Sequence, residues 1–129
     1  MRLIGDTQDE AQLEADRLVA EEGLTWVAPF DDPMIIAGQG TIALEIVEDL
    51  PDVNAIVAPL AGGGLLSGIA VGAKSVDSRI EVIGTSMEVE PGMVKSLEAG
   101  HPITVDEFPS LADALGGSIG LNNRYTFPL

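Results

Sequence analysis

Three consecutive glycines at positions 62–64 constrain the fold of this chain more than any other feature. Before them, residues 55–58 (AIVA) form a short apolar run with β-branched side chains, typical of a buried parallel strand. After them, residues 65–74 are apolar on nearly every side and predict a buried helix. A strand, a glycine turn and a helix in succession indicate an α/β unit.

The glycine turn has the properties of an anion-binding loop. Glycine permits positive φ and close approach of the backbone to a ligand. The first N–H groups of a helix have no partner within it, and the helix dipole favours a negative charge beside them. A Walker A loop is excluded because Lys74 lies well inside the predicted helix, and the dinucleotide pattern G-x-G-x-x-G fails at Ser67. The alternative is a plain turn without ligand, disfavoured because three glycines cost conformational entropy.

The composition of the chain limits which kinds of ligand and partner such a loop could bind. The chain has 129 residues, the size of one domain, with 46% apolar residues, no cysteine and no apolar run long enough to span a membrane. Its 21 acidic and 6 basic residues give a net charge of −15, which argues against nucleic acid as a partner. We expect backbone dipoles, more than Lys or Arg, to hold a phosphate. A halophilic source is a hypothesis that the acidic surface suggests.

Predicted strands and helices alternate along the chain, which favours an α/β fold with a parallel sheet. The predicted strands cover residues 2–4, 24–28, 55–58 and 81–85. The predicted helices run from the Asp6/Thr7 cap to Gly23, from after Gly40 to Leu50, over 65–74, from Pro91 to Gly100, and over 111–115. In the second and fourth helices we expect apolar faces of Ile42, Ala43, Ile46, Val47 and Leu50, and of Met93, Val94 and Leu97.

Two other features have both a functional and a structural interpretation. Asp31 and Asp32 lie beside prolines, where such a pair is more often a turn and a helix N-cap than a metal or acid–base site. His101 is the only histidine, and its place after a predicted helix end favours a turn residue over a catalyst.

The run Ala-Gly-Gln-Gly-Thr at 37–41 is the most specific of several segments that together resemble the threonine/serine dehydratase family of pyridoxal-phosphate enzymes. The others are residues 5–11, 29–33, 59–68, 110–113 and 118–122, and residues 86–88 and 120–127 favour the hydroxyectoine-utilisation branch.

The resemblance implies a three-layer α/β fold, a parallel sheet with helices on both faces, of the tryptophan-synthase-β type (fold type II). Residues 1–28 would finish a small domain and residues 29–129 would form the central part of the large cofactor-binding domain. It also implies pyridoxal 5′-phosphate as cofactor, with its phosphate bound by the backbone of Ala61, Gly62, Gly63, Gly64 and Leu65. Ala61 departs from the family's glycine, and Ala114 stands near the cofactor ring where relatives often have glycine.

Some functional positions of the family have no counterpart here. The family's cation site corresponds to Ser86 and Gly92, so we expect no metal, and its Schiff-base lysine falls upstream of the matched region. We therefore expect an incomplete fold, a middle segment of a longer enzyme, with no catalytic residue of its own and no activity alone. The only lysines are Lys74 and Lys95.

The full-length parent would be a cytoplasmic homo-oligomer that converts a hydroxy amino acid to a 2-oxo acid and ammonia. Two alternatives remain open: a non-enzymatic phosphate-ligand or interaction module derived from that fold, and a nonfunctional reading frame.

Overall fold

A computed structural model describes residues 3–129. The elements are α1 (Gln8–Glu22), α2 (Pro33–Asp49), β1 (Ala55–Pro59), α3 (Gly64–Val76), β2 (Glu81–Thr85), α4 (Gly92–Ala99) and a short 3₁₀ turn at Asp113–Leu115. β1 and β2 are parallel, with Ile56 opposite Val82 and Pro59 opposite Thr85. The parallel pairing across a helical crossover confirms the α/β prediction.

The core lies where α2 and α3 pack together and against the sheet. Its buried members are Ala43, Ile56, Ala58, Ile69, Ala73 and Ile80. Ala43 and Ala73 have no exposed surface, so the small side chains of the two helices meet closely. This packing fixes the direction of α3, and with it the place where α3 begins.

Helix α2 begins earlier than predicted. It starts at Pro33, with Asp32 as N-cap, and continues through the glycines that were expected to interrupt it. Gly40 explains why: a Cβ there would lie 3.0 Å from the carbonyl oxygen of Gly68 on α3. Contact with the neighbouring helix therefore outweighs the low helix propensity of glycine, which is worth about 1 kcal/mol.

Other predicted elements are wrong or displaced. Residues 24–28 form no strand, and Trp26 and Val27 are exposed, because no described strand lies beside them to pair with their backbone. Leu3 and Ile4 are likewise not in a strand, and Arg2 lies outside the described residues. Of the helix predicted over 111–115, only the 3₁₀ turn forms.

Helix α4 agrees better with its prediction. Gly100 ends it in the left-handed conformation, as expected, while Pro91 is its N-cap and not its first helical residue. Met93 is buried, but Leu97 is 52% exposed and so does not face the interior as predicted. Among the described residues, no helix has the length and apolar character needed to cross a membrane.

Candidate functional site: a glycine loop at the start of a buried helix

The glycine loop connects the carboxyl end of β1 to the first turn of α3. Gly63 is the N-cap of α3, with φ +92° and ψ −14°, a conformation that glycine adopts readily. The backbone N–H of Leu60 donates to Thr85 O at 2.7 Å, which ties the loop to the end of β2. No side chain caps α3, so the N–H groups of its first turn remain available to a ligand.

Neighbouring residues leave no room for side chains on the loop. A Cβ on Gly62 would lie 2.3 Å from Cδ1 of Phe30, and one on Gly64 would lie 3.0 Å from Cα of Phe30. A Cβ on Gly63 would point elsewhere, 2.8 Å from Cε of Met93 and 2.9 Å from Cβ of Thr126. The glycines are therefore needed for packing as well as for conformation. Ala61 has no positive φ, so its methyl group costs no backbone strain.

The loop opens on a pocket of about 620 Å³. All five residues of the predicted phosphate site line it, and Ala114 lines it from the distant C-terminal segment. The complete lining is Gln8, Pro29, Phe30, Pro59, Ala61, Gly62, Gly63, Gly64, Leu65, Ala114, Leu115, Gly116 and Ser118.

The charge of this lining is unusual for so acidic a chain. None of these described residues carries a charged side chain, although 21 residues of the whole chain are acidic. The N-terminus of α3 contributes a positive potential to this pocket. A phosphate group fits such a lining, because backbone N–H groups and the helix dipole can hold it without a basic side chain.

The adjacent acids Asp31 and Asp32 have separate structural roles. The Asp32 carboxylate caps α2 by accepting N–H bonds from Met34 at 2.7 Å and Ile35 at 3.3 Å. Asp31 instead accepts three N–H bonds from the C-terminal segment: Arg124 and Tyr125 at 2.8 Å, and Thr126 at 2.9 Å. The cap was predicted, but this long-range contact was not, since no local pattern links residues more than 90 positions apart.

The environment of Asp31 shifts its acidity. Burial alone would raise the pKa of this carboxyl, but the N–H donors of Thr126, Arg124 and Tyr125 outweigh burial and lower the pKa below its ordinary value. Asp31 is therefore a carboxylate at neutral pH, held by hydrogen bonds that favour its charged form.

The remaining candidates lie away from the loop or are engaged. Lys74 Nζ donates to the carbonyls of Ser78 and Ile80, at 3.2 and 2.8 Å, and Lys95 pairs with Glu90. His101 is exposed, with Nδ1 3.0 Å from its neighbour Pro102 O. In the part of the chain that the structure describes, no group of three or more acidic or histidine side chains is arranged to hold a metal.

A buried helix that starts at a glycine loop on the carboxyl edge of a parallel sheet places the chain among the α/β proteins, whose ligands bind at that edge. Comparison with known proteins gives the family. The profile of the family described as pyridoxal-phosphate dependent enzyme matches residues 1–129, and the chain belongs to that family. The cofactor expected from the resemblance is thereby confirmed.

Individual relatives confirm the likeness to threonine dehydratases. A protein of Sinorhizobium fredii with the provisional name threonine dehydratase is 51% identical over the whole chain, which covers 39% of that protein. An L-threonine ammonia-lyase of Thermotoga maritima is 48% identical over 88% of this chain, which covers 28% of that protein. The solved structure of processed threonine deaminase isoform 2 from Solanum lycopersicum superposes with a TM-score of 0.83 at 38% identity, covering 98% of this chain and 36% of that one. The chain thus spans about two fifths or less of the length of each.

Proposed function

We propose that this chain supplies the phosphate-binding part of a pyridoxal-phosphate-dependent hydroxy-amino-acid dehydratase. The observation that carries the proposal is the uncapped start of α3, which opens on a pocket whose lining has no charged side chain. The backbone N–H groups of residues 61–65 bind the cofactor phosphate, and the start of α3 stabilises its charge. Ala114, on the same pocket, lies beside the cofactor ring.

The substrate class comes from the relatives. The names of the similar proteins point to threonine, and we propose threonine or serine as substrate, converted to a 2-oxo acid and ammonia. The chemistry that the bound cofactor supplies is an electron sink for loss of the α-proton and the β-hydroxyl. This chain's own part is to bind and orient the phosphate, while Phe30 packs against Gly62 and Gly64.

The lysines indicate that the chain does not catalyse this reaction alone. Lys74 lies in the last turn of α3, about ten residues or roughly 15 Å of helical rise from the glycine loop. Its amine is engaged by two carbonyls, and that of Lys95 by Glu90. Neither lysine lines the pocket of the glycine loop, where a lysine nucleophile would have to lie. A non-enzymatic module that holds a phosphate ligand is the second candidate, favoured by this same absence of an available lysine.

Further properties complete the proposal. We place residues 1–28 in the small domain and residues 29–129 in the large domain of a cytoplasmic homo-oligomer. Hydroxyectoine utilisation, suggested by residues 86–88 and 120–127, is the metabolic context that we propose.

Charge at position 61 tests the anion site. Ala61→Asp places a carboxylate in the loop, whereas Ala61→Asn is its neutral match in size. Because like charges repel, we expect Asp to weaken binding of pyridoxine 5′-phosphate by about tenfold or more relative to Asn. Pyridoxine phosphate has no aldehyde, so it cannot react with lysines, and titration calorimetry measures noncovalent binding alone. Equal affinities of the two variants would show that the anion does not bind at this loop. Gly63 is less suitable, since any side chain there strains the backbone.

Borohydride reduction tests the proposal that the chain is inactive alone. After reduction with pyridoxal 5′-phosphate, peptide mapping should find no stoichiometric label on either lysine, and no 2-oxo acid should form from serine or threonine. Specific labelling of Lys74 or Lys95 together with turnover would overturn the statement that the chain is inactive alone.

A further inference from the structure

The Asp31 carboxylate lies between the two segments that flank the glycine loop. On one side its neighbour Phe30 packs against the loop, at the positions where side chains of Gly62 and Gly64 would be. On the other side its three N–H donors belong to residues 124–126, and Thr126 packs against Gly63. One side chain thus connects both contacts of the loop.

The geometry of this connection is tight. Oδ1 accepts the backbone N–H groups of Tyr125 and Thr126, and Oδ2 accepts that of Arg124. Thr126 is 4% exposed, and its hydroxyl accepts a further bond from Asn123 Nδ2 at 2.7 Å. A second amide contact, from Phe127 N to Asn123 Oδ1 at 2.9 Å, closes the turn. Few contacts of regular secondary structure hold this segment, so these hydrogen bonds determine where Thr126 lies.

From this arrangement we infer that Asp31 is a positioning residue for phosphate binding: it holds Phe30 and Thr126 against the glycine loop and so fixes the N–H groups that receive the anion. Asp31 itself does not touch the ligand, because its oxygens are directed at the C-terminal segment. The inference rests on the proposed function, since it concerns the same loop. It assigns a role in cofactor binding to a residue whose sequence context favoured a turn or helix N-cap over a metal or acid–base site.

A carboxylate suits this role better than a neutral side chain. Hydrogen bonds to an ionised acceptor are shorter and stronger than neutral ones, and a carboxylate has enough acceptor sites for three donors. An amide at position 31 keeps one acceptor oxygen, and a methyl group keeps none. We therefore expect a graded series in which Asp31→Asn is intermediate and Asp31→Ala is most affected.

The first measurement needs no ligand. In ¹H–¹⁵N spectra of the chain, Asp31→Asn should shift the amide resonances of residues 62–65, although the substitution lies outside the loop in sequence. The matched control is Asp32→Ala, which removes the adjacent helix cap and should leave those resonances in place. Unshifted loop resonances in both Asp31 variants would overturn the inference, whatever the chain binds.

The second measurement uses the ratio of affinities for pyridoxine 5′-phosphate and pyridoxine, which isolates the phosphate. In Asp31→Ala this ratio should fall by about tenfold, as expected when one hydrogen bond to a charged group is misplaced. Asp32→Ala should lower stability yet keep the ratio. A wild-type ratio near one would refute the proposed function, whereas a high ratio that Asp31→Ala leaves unchanged would refute only the role of Asp31.

Discussion

The two sides of the glycine loop are held by different forces. On the core side, α3 packs on α2 through glycines: a Cβ on Gly68 would lie 2.4 Å from Ile36 O, and one on Gly72 would lie 2.5 Å from Gly40 O. On the other side, the segment after α4 has little regular structure, and Asp31 and Asn123 hold it by hydrogen bonds.

Because of this difference, the two sides of the loop should respond differently to pH and salt. Close backbone packing excludes side-chain atoms and depends on neither pH nor salt. A carboxylate that accepts three N–H bonds depends on its own ionisation and on screening. The two sides can therefore be separated experimentally, and the predictions below run from the largest expected effect to the smallest.

The largest effect should come from Gly68→Ala. The new methyl group would meet the backbone of α2, which cannot move aside as a side chain can, so the two helices must separate. We expect a loss of about 3 kcal/mol in the free energy of unfolding, measured by urea denaturation.

The matched control lies on the same helix pair. Gly38 of α2 has nothing within 4 Å of an added Cβ, so Gly38→Ala should stabilise the chain by about 0.5 to 1 kcal/mol through helix propensity. Similar losses in the two variants would mean that glycine content, and not close packing, determines the contact between α2 and α3.

A smaller loss is expected at the polar side. Asp31→Ala leaves three backbone N–H groups without their acceptor and should cost about 2 kcal/mol. Asp32→Ala removes only a helix cap and should cost about 1 kcal/mol. Thermal unfolding of both variants compares them directly, and a larger loss for Asp32 would make the cap, not the long-range contact, the main function of this acidic pair.

The pH dependence of the Asp31 contribution follows from its lowered pKa. A carboxyl whose pKa is lower in the folded state stabilises the fold above its ordinary pKa of about 3.9, and this contribution is lost as the pH falls through the lowered value. The stability difference between wild type and Asp31→Asn should therefore be constant from about pH 7 to pH 5 and shrink below about pH 4. The difference isolates this group from the other acids, and a difference that grows on acidification would contradict the assignment.

Salt should produce the smallest change in stability, and this change should differ between the core side and the hydrogen-bonded side of the glycine loop. With a net charge of −15, the chain repels itself, and salt that shortens the Debye length from about 30 Å to about 3 Å should raise its melting temperature. The penalty of Gly68→Ala should not change over this range, whereas that of Asp31→Ala should increase, because at low salt the loss of one negative charge also relieves self-repulsion. A melting temperature that stays flat or falls with salt would remove the argument for a halophilic source.

Local sequence was sufficient for the elements with a strong local signal. The strands over 55–58 and 81–85, the helix after the glycine loop and the glycine end of α4 were predicted to within a few residues. Patterns failed where a neighbour decides the outcome. Residues 24–28 have the composition of a strand but no described partner, and Gly40 looks like a helix break but fits against α3.

The sequence by itself determined that a strand, a glycine turn and a buried helix follow one another, because each depends on side-chain type and spacing over a few residues. It also predicted that backbone dipoles, more than Lys or Arg, would hold a phosphate at this turn, since the chain has only 6 basic residues. Only the tertiary structure decided which residues surround the turn. Phe30, Thr126 and Ala114 come from distant parts of the chain. The Asp31 carboxylate joins Phe30 to Thr126 through hydrogen bonds across 93 to 95 positions. Local propensity has no influence over such a separation.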